Sequence, residues 1–259
     1  MTPAVISSFL LMLGFVLLIW ILYFYTNNPS IIDPCWSIGI FICSSSYVIN
    51  LENWHNISLK TCIAWILLFL WAMRLSGYLW FTRIAKNHHD PRYETISKDW
   101  KISKSLGFLL NYLFQGALMM AVALPFIFIA NSRYHTLFII DYFAIILIPL
   151  AIIGEAVADW QLYQFKKHYP KMVCNVGLWN YSRHPNYFFE LIIWFGFSLL
   201  GSSSQYGYLS MLSPSLLLCI FLFITGPITE KLSLKSRGAA FEYYRQTTSF
   251  IIPWFKKSQ

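Results

Sequence analysis

The sequence predicts an all-α fold, a polytopic membrane protein of seven transmembrane helices with its N-terminus outside and its C-terminus in the cytoplasm. Three observations predict it. Of the 259 residues, 57% are hydrophobic and only 12% charged, about half the charged share of an ordinary soluble domain. Apolar windows of about 20 residues recur, each long enough at about 1.5 Å per residue to cross about 30 Å of hydrocarbon. The Lys and Arg residues collect in alternate connections, which orients a helical bundle in a bilayer.

The windows fall at 4–24, 31–50, 59–81, 106–130, 138–160, 185–201 and 208–228. The first is expected to remain as a helix, because MTPAVISS carries no basic residue and no small-residue cleavage site follows. After the third comes the polar stretch 82–105, in which Asp90-Pro91 favours a turn and so places Arg92 and Tyr93 on a loop beneath the membrane. The fifth carries Glu155 and Asp159. The sixth follows Arg183-His184 and begins with Pro185 at its first position, where a missing N–H costs nothing. Beyond the seventh lies a polar tail from Thr229 onward.

Of the 19 Lys and Arg, only Lys60 and Arg133 fall in the connections after the second and fourth windows. Arg83, Lys86, Arg92, Lys98, Lys101, Lys104, Lys166, Lys167, Lys171, Arg183 and the tail cations fall on the other side, hence the expected orientation. The net charge of +8 is explained by that asymmetry. The cations are interleaved with apolar segments and form no continuous stripe, which argues against nucleic acid as a partner. The five cysteines stand far apart, with no C-x-x-C pair and no histidines at metal spacing, so free thiols and no metal are expected. Asn56-Ile57-Ser58 matches a glycosylation sequon on the outer side, a triplet too common to carry weight. Without an internal repeat or linker, 1–259 reads as a single membrane domain.

A charge near a helix centre costs at least about 2.5 kcal/mol, so Asp33, Arg74, Glu155, Asp159 and Glu190 need a protein or aqueous environment. Glu155 and Asp159 share one helix face by their spacing of four, as do Asn186 and Glu190. Two polar faces flanking a basic loop suggest a pocket for an anionic cofactor at the cytoplasmic mouth. The alternative is that these groups pair to fix helix packing. Arg83, Arg92, Lys166, Lys171, Arg183 and Arg237 are candidates for phosphate contacts, or else positive-inside anchors. His184 is a titratable group or a structural cap. Tyr187 offers a ring and a hydroxyl, or belongs to an interfacial aromatic belt.

Gly177-Leu178-Trp179-Asn180-Tyr181-Ser182-Arg183-His184-Pro185-Asn186-Tyr187-Phe188-Phe189-Glu190 resembles the signature G-L-W-x-Y-S-R-H-P-N-Y-x-x-E of a group of membrane proteins of unknown function related to steroid 5-alpha-reductases. Asp33-Pro34-Cys35-Trp36-Ser37-Ile38-Gly39, Asp90-Pro91-Arg92-Tyr93, Glu155-Ala156-Val157-Ala158-Asp159-Trp160-Gln161 and Thr248-Ser249-Phe250-Ile251-Ile252-Pro253-Trp254 resemble further segments of that group, in the same order.

The resemblance implies a membrane-embedded NADPH-dependent reductase of a carbon–carbon double bond in a lipid substrate, steroid-like, fatty acyl or isoprenoid. The cofactor site would lie in 138–259. Asn186 and Glu190 would contact the nicotinamide end, Asp159 the adenosine portion, and Arg183, Lys166 and Arg237 the phosphates; Arg83, Arg92, Glu155, His184 and Tyr187 join the cofactor candidates. The steroid reductases carry a Gln-Glu pair that polarises the substrate carbonyl, and this sequence has none, so the expected acid is Asp33, kept protonated by burial, or Tyr78.

The rival is a membrane methyltransferase using S-adenosylmethionine. R-H-P-x-Y-x-x-E, with Glu230 and Phe241-Glu242-Tyr243-Tyr244-Arg245, also resembles isoprenylcysteine carboxyl methyltransferases and phospholipid methyltransferases. A non-catalytic lipid-binding membrane protein is the third class. The expected location is the bacterial inner membrane or the endoplasmic reticulum, among membrane lipids, and the sequence leaves the oligomeric state open because interfaces and lipid-facing surfaces are equally apolar.

Overall fold

The computed structural model describes residues 2–51, 57–86, 89–132 and 136–256. Arg133 and the sequon residue Asn56 lie outside the described residues. Eleven α-helices are present among those described: α1 (Thr2–Thr26), α2 (Ile32–Leu51), α3 (Leu59–Thr82), α4 (Pro91–Ser97), α5 (Lys104–Val122), α6 (Pro125–Ala130), α7 (Ile139–His168), α8 (Pro185–Gly201), α9 (Leu212–Ile220), α10 (Gly226–Arg237) and α11 (Ala239–Thr247). No strand is found among these residues; the one extended pairing is an isolated parallel bridge between Ser182 and Ser249.

Six helical stretches are long and apolar enough to cross a membrane: Pro3–Thr26, Pro29–Leu51, Leu59–Lys86, Lys104–Ala130, Ile139–His168 and Gly207–Arg237. The expected seventh, 185–201, is α8, which has 17 residues and rises only about 26 Å. The chain is a multi-pass membrane protein on this evidence. It divides into two compact units, Met1–Ile145 with Phe197–Ser213, and Ile146–Gly196 with Pro214–Gln259.

In the first unit, α2 packs on α1, α3, α5 and α6. Its centre is apolar and large: Trp71, Tyr112, Met119, Phe126 and Phe197 are fully buried. Gly39 on α2 permits this approach, since a Cβ there would stand 2.5 Å from Met119 Sδ and 2.9 Å from the Phe15 ring. Lipid tails are as apolar as these side chains, so polar groups add specificity between helices. Ser8 Oγ bonds Ser46 Oγ at 2.8 Å, Trp65 Nε1 donates to Ser45 Oγ at 2.8 Å, and Tyr112 OH donates to Pro29 O at 2.7 Å.

Two departures from expectation concern charge. Lys60 is not a loop cation; it is the second residue of α3 and fully buried, with Nζ 2.8 Å from Asp141 Oδ2 and donating to Ser203 Oγ at 2.7 Å. Asp141, in the first turn of α7, also accepts the Phe138 N–H on Oδ2 at 2.8 Å. The stretch around Arg92 is not a loop either. Asp90 accepts the Arg92 N–H at 2.9 Å as the N-cap of α4, and Pro91 supplies the first turn.

The second unit is built from α7 beyond residue 145, most of α8, the segment Pro214–Ile220 of α9, α10 and α11. Gly154 and Gly196 let α7 and α8 meet closely, because a Cβ at either would collide with Phe189 or Ile148 at 2.4 and 2.5 Å. Between α9 and α10 the chain makes a π-helical turn, Phe221–Thr225. Pro227 has no N–H to continue the α ladder, and the Gly226 N–H reaches back five residues to Phe221 O.

Candidate functional site

The polar residues of the second unit are arranged around the entrance to α8. The chain leaves α7, turns at Gly177 with φ +57°, where a Cβ would stand 2.5 Å from Gln161 Oε1, and forms one 3-10 turn at Gly177–Asn180. Gln161 Oε1 accepts the Leu178 N–H, and Trp179 Nε1 donates to Ala158 O, both at 2.9 Å. Tyr244 OH donates to Trp179 O at 2.5 Å from α11. Thus the G-L-W segment is a fixed ledge that delivers Ser182, Arg183 and His184 to the helix start.

Arg183 is gripped by the chain itself. Its Nε donates to Glu230 Oε1 at 2.6 Å, its Nη1 to Arg245 O at 2.5 Å and to Thr248 O at 2.7 Å, and its guanidinium lies 5.4 Å from the Phe250 ring centre. This departs from the expected phosphate contact, because the planar fork already serves a carboxylate and two carbonyls. Glu230, on α10, also accepts from His184 Nε2 at 3.3 Å. Burial pushes the His184 imidazole below its ordinary value, against the opposing pull of Glu230.

Tyr187 stacks on His184 with ring centres 4.7 Å apart and on Phe221 at 4.2 Å. Both faces of its ring are covered, which leaves its edge and hydroxyl as the only parts open to a ligand. Further along α8, Glu190 is buried and accepts the Trp194 Nε1–H at 2.9 Å. Glu155 and Asp159 are buried on α7, whereas Lys166 is exposed in its last turn. Burial raises the Cys174 thiol, and the backbone hydrogen bond from Val176 and the positive charges of Lys166 and Arg237 pull it down.

Among the atoms of this unit with no hydrogen-bond partner although solvent does not reach them are Thr248 Oγ1 and the pair Asn186 Oδ1 and Arg237 Nε. One of the pair is an acceptor and the other a donor. Buried polar groups are normally satisfied, so this pair marks where the unit has bonding capacity to offer a ligand.

Asp33, Tyr78, Arg83 and Arg92 belong to the first unit. Arg83 Nη1 donates to Asp33 Oδ2 and lies 2.9 Å from Asp90 Oδ2. Arg92 Nη2 meets Asp33 Oδ2 at 3.1 Å and Asp90 Oδ2 at 2.8 Å, and Tyr93 OH donates to Asp33 Oδ1 at 2.7 Å. Asp33 thus accepts from Arg83, Arg92 and Tyr93, and Asp90 accepts from the same two arginines, so Asp33 is one acceptor of a shared arginine network. Burial would raise Asp90, but Arg92 and Arg83 outweigh it and hold the carboxyl at about 2. Tyr78 is half-buried on α3, and its carbonyl accepts from Thr82 Oγ1 at 2.6 Å.

Sequence reasoning overlooked Asp141 as an intramembrane acid and gave Glu230, Gln161 and Tyr93 no structural role. Asp141 was legible, since it falls inside the window 138–160. The five cysteines are free, and no cluster of metal-binding side chains occurs among the described residues.

A family model described as "Protein of unknown function (DUF1295)" matches residues 19–248. An uncharacterized protein of Schizosaccharomyces pombe is 25% identical over 219 residues, or 74% of this chain, and the chain spans 63% of that relative's length. No solved structure matches.

Proposed function

The chain belongs to the DUF1295 family, and on that premise we propose that it is a membrane-embedded, NADPH-dependent reductase of a carbon–carbon double bond in a lipid, akin to steroid 5-alpha-reductases. The observation that carries this reading is the pair of buried, unpartnered atoms Asn186 Oδ1 and Arg237 Nε. A nicotinamide carboxamide presents an N–H₂ donor to such an acceptor, and a phosphate presents an oxygen to such a donor. The buried carboxylates Glu155, Asp159 and Glu190 suit ribose hydroxyls and further carboxamide protons.

In this reading α8 is a seventh span, entered from the cytoplasmic side at Pro185, and the N-terminus is outside. NADPH supplies hydride when bound. The chain's own residues bind and orient it: Asn186 takes the carboxamide, Arg237 and Lys166 take phosphate, and Arg183 positions the ledge and the tail around them. The cofactor contacts are assigned to the second unit alone.

A second reading, S-adenosylmethionine as cofactor of a methyltransferase, is favoured by the same three buried carboxylates, which suit a cationic sulfonium and amine. Titrating the purified protein with each cofactor separates the two. NADPH is expected to bind, with Asn186→Ala and Arg237→Ala each weakening it about tenfold, the worth of one hydrogen bond to a charged or strongly polar group. Failure to bind NADPH at millimolar concentration, or tight binding of S-adenosylmethionine instead, overturns the reductase reading.

A further inference from the structure

The segment 248–256 is pinned along its backbone yet holds its largest apolar side chains outward. The Arg183 N–H donates to Ser249 O and the Trp254 N–H to Tyr181 O, both at 2.9 Å, while Ser182 Oγ donates to Ile251 O at 2.7 Å. Ile251 turns inward and is buried; Ile252, Trp254 and Phe255 are 67%, 68% and 77% exposed. The Phe255 ring meets Tyr181 and Trp254 edge-on, with centres 6.2 and 6.4 Å away, so three aromatic side chains form one cluster. Lys256 is exposed next to it in the chain; Arg245 is exposed too, with its Nη2 ion-paired to Glu242 Oε2 at 2.9 Å, and no other Asp or Glu occurs between Phe241 and Lys256.

We propose that this cluster is an interfacial anchor, docking on the anionic headgroup layer of the bilayer in which the chain sits. Trp and Tyr combine an apolar body with a polar edge and favour the headgroup depth. Lys256 adds attraction to anionic lipid. A second copy of the same patch would oppose cation to cation across a two-fold contact, so charge complementarity selects the lipid. Because the backbone is already held, docking orders little that is free. The carbonyls of Arg245 and Thr248 grip Arg183 from this same segment, so docking couples membrane composition to the entrance of α8. The anchor stands independently of which cofactor the second unit takes.

The test uses the full chain in nanodiscs of phosphatidylcholine, alone or mixed equally with phosphatidylglycerol. A nitroxide is placed on Trp254→Cys after the five native cysteines are replaced by Ala. In anionic discs the label is expected to meet oxygen in preference to a water-soluble nickel complex. Replacing Lys256 by Gln should lower the ratio of docked to undocked label about fivefold. Equal access of the nickel complex in both discs overturns the proposal. Shielding from both reagents in both discs also overturns it, in favour of a second copy or another protein as the cover. A parallel measurement keeps the native cysteines: brominated phosphatidylglycerol should quench wild type more than Trp254→Phe, and an equal quenched fraction counts against the anchor.

Discussion

The two units differ in where their paired charges and their unpartnered polar atoms fall. In the first, opposite charges close on one another: Lys60 with Asp141, and Asp33 and Asp90 with Arg83 and Arg92. In the second, Arg183, His184 and Glu230 are likewise closed, while Asn186 and Arg237 bury atoms without a hydrogen-bond partner; the first unit has such atoms too, Ser44 Oγ and Asp141 Oδ1. A closed pair works as a fastener, since its parts are spent on each other. An open acceptor and an open donor cost stability and are worth retaining where a ligand completes them. The proposed cofactor site draws on the second unit, where the open acceptor and donor fall in the same unit as the buried carboxylates Glu155, Asp159 and Glu190.

Breaking the most deeply buried fastener should have the largest effect. Lys60→Met leaves Asp141 charged with both side chains at 0% exposure, and the expected loss is about 3–5 kcal/mol, as for other buried pairs cut on one side. The double variant Lys60→Met with Asp141→Leu should recover most of it. Denaturant or thermal unfolding in detergent measures both; a single variant as stable as wild type would show that the pair is not a fastener.

The Asp33–Asp90 network should reveal itself through pH. Asp90 falls from an ordinary 3.8 to about 2 in the folded chain, so its contribution is fully present above pH 4 and is lost as pH falls toward 2. By linkage this is worth about 2 kcal/mol, and Asp90→Asn should remove that part of the acid dependence. An unchanged acid limb in the variant would break the assignment.

The smallest stability effect belongs to the open set. Arg237→Ala deletes a donor with no partner, so unfolding should move by no more than about 0.5 kcal/mol even as NADPH binding weakens. A large loss of stability would mean that Arg237 is a fastener too, and would erase the contrast between the units.

How far these features were legible depends on whether they are local. The helices were legible because an apolar window and its end signals lie within one stretch of chain: Ser58 caps α3, and Pro185 opens α8 where the R-H-P-N-Y pattern places it. α8, with 17 residues, is the shortest of the expected spans. Charge partners were a different matter. Lys60 read as an outer-loop cation because its partner Asp141 is distant in sequence, and Arg183 read as a phosphate ligand because Glu230, 47 residues away, is not visible in its neighbourhood.

By itself, then, the sequence determined an all-helical chain made for a bilayer, since hydropathy and capping are properties of neighbouring residues and act before any tertiary contact forms. Only the tertiary structure decided which charges are spent and which polar atoms remain open. Pairing depends on distances of about 3 Å between segments far apart in the chain, and neither composition nor periodicity encodes that proximity. Arg183 thereby became a clamp on the tail, Asp33 an acceptor within an arginine network, and Asn186 and Arg237 the pair to which a ligand can still bond.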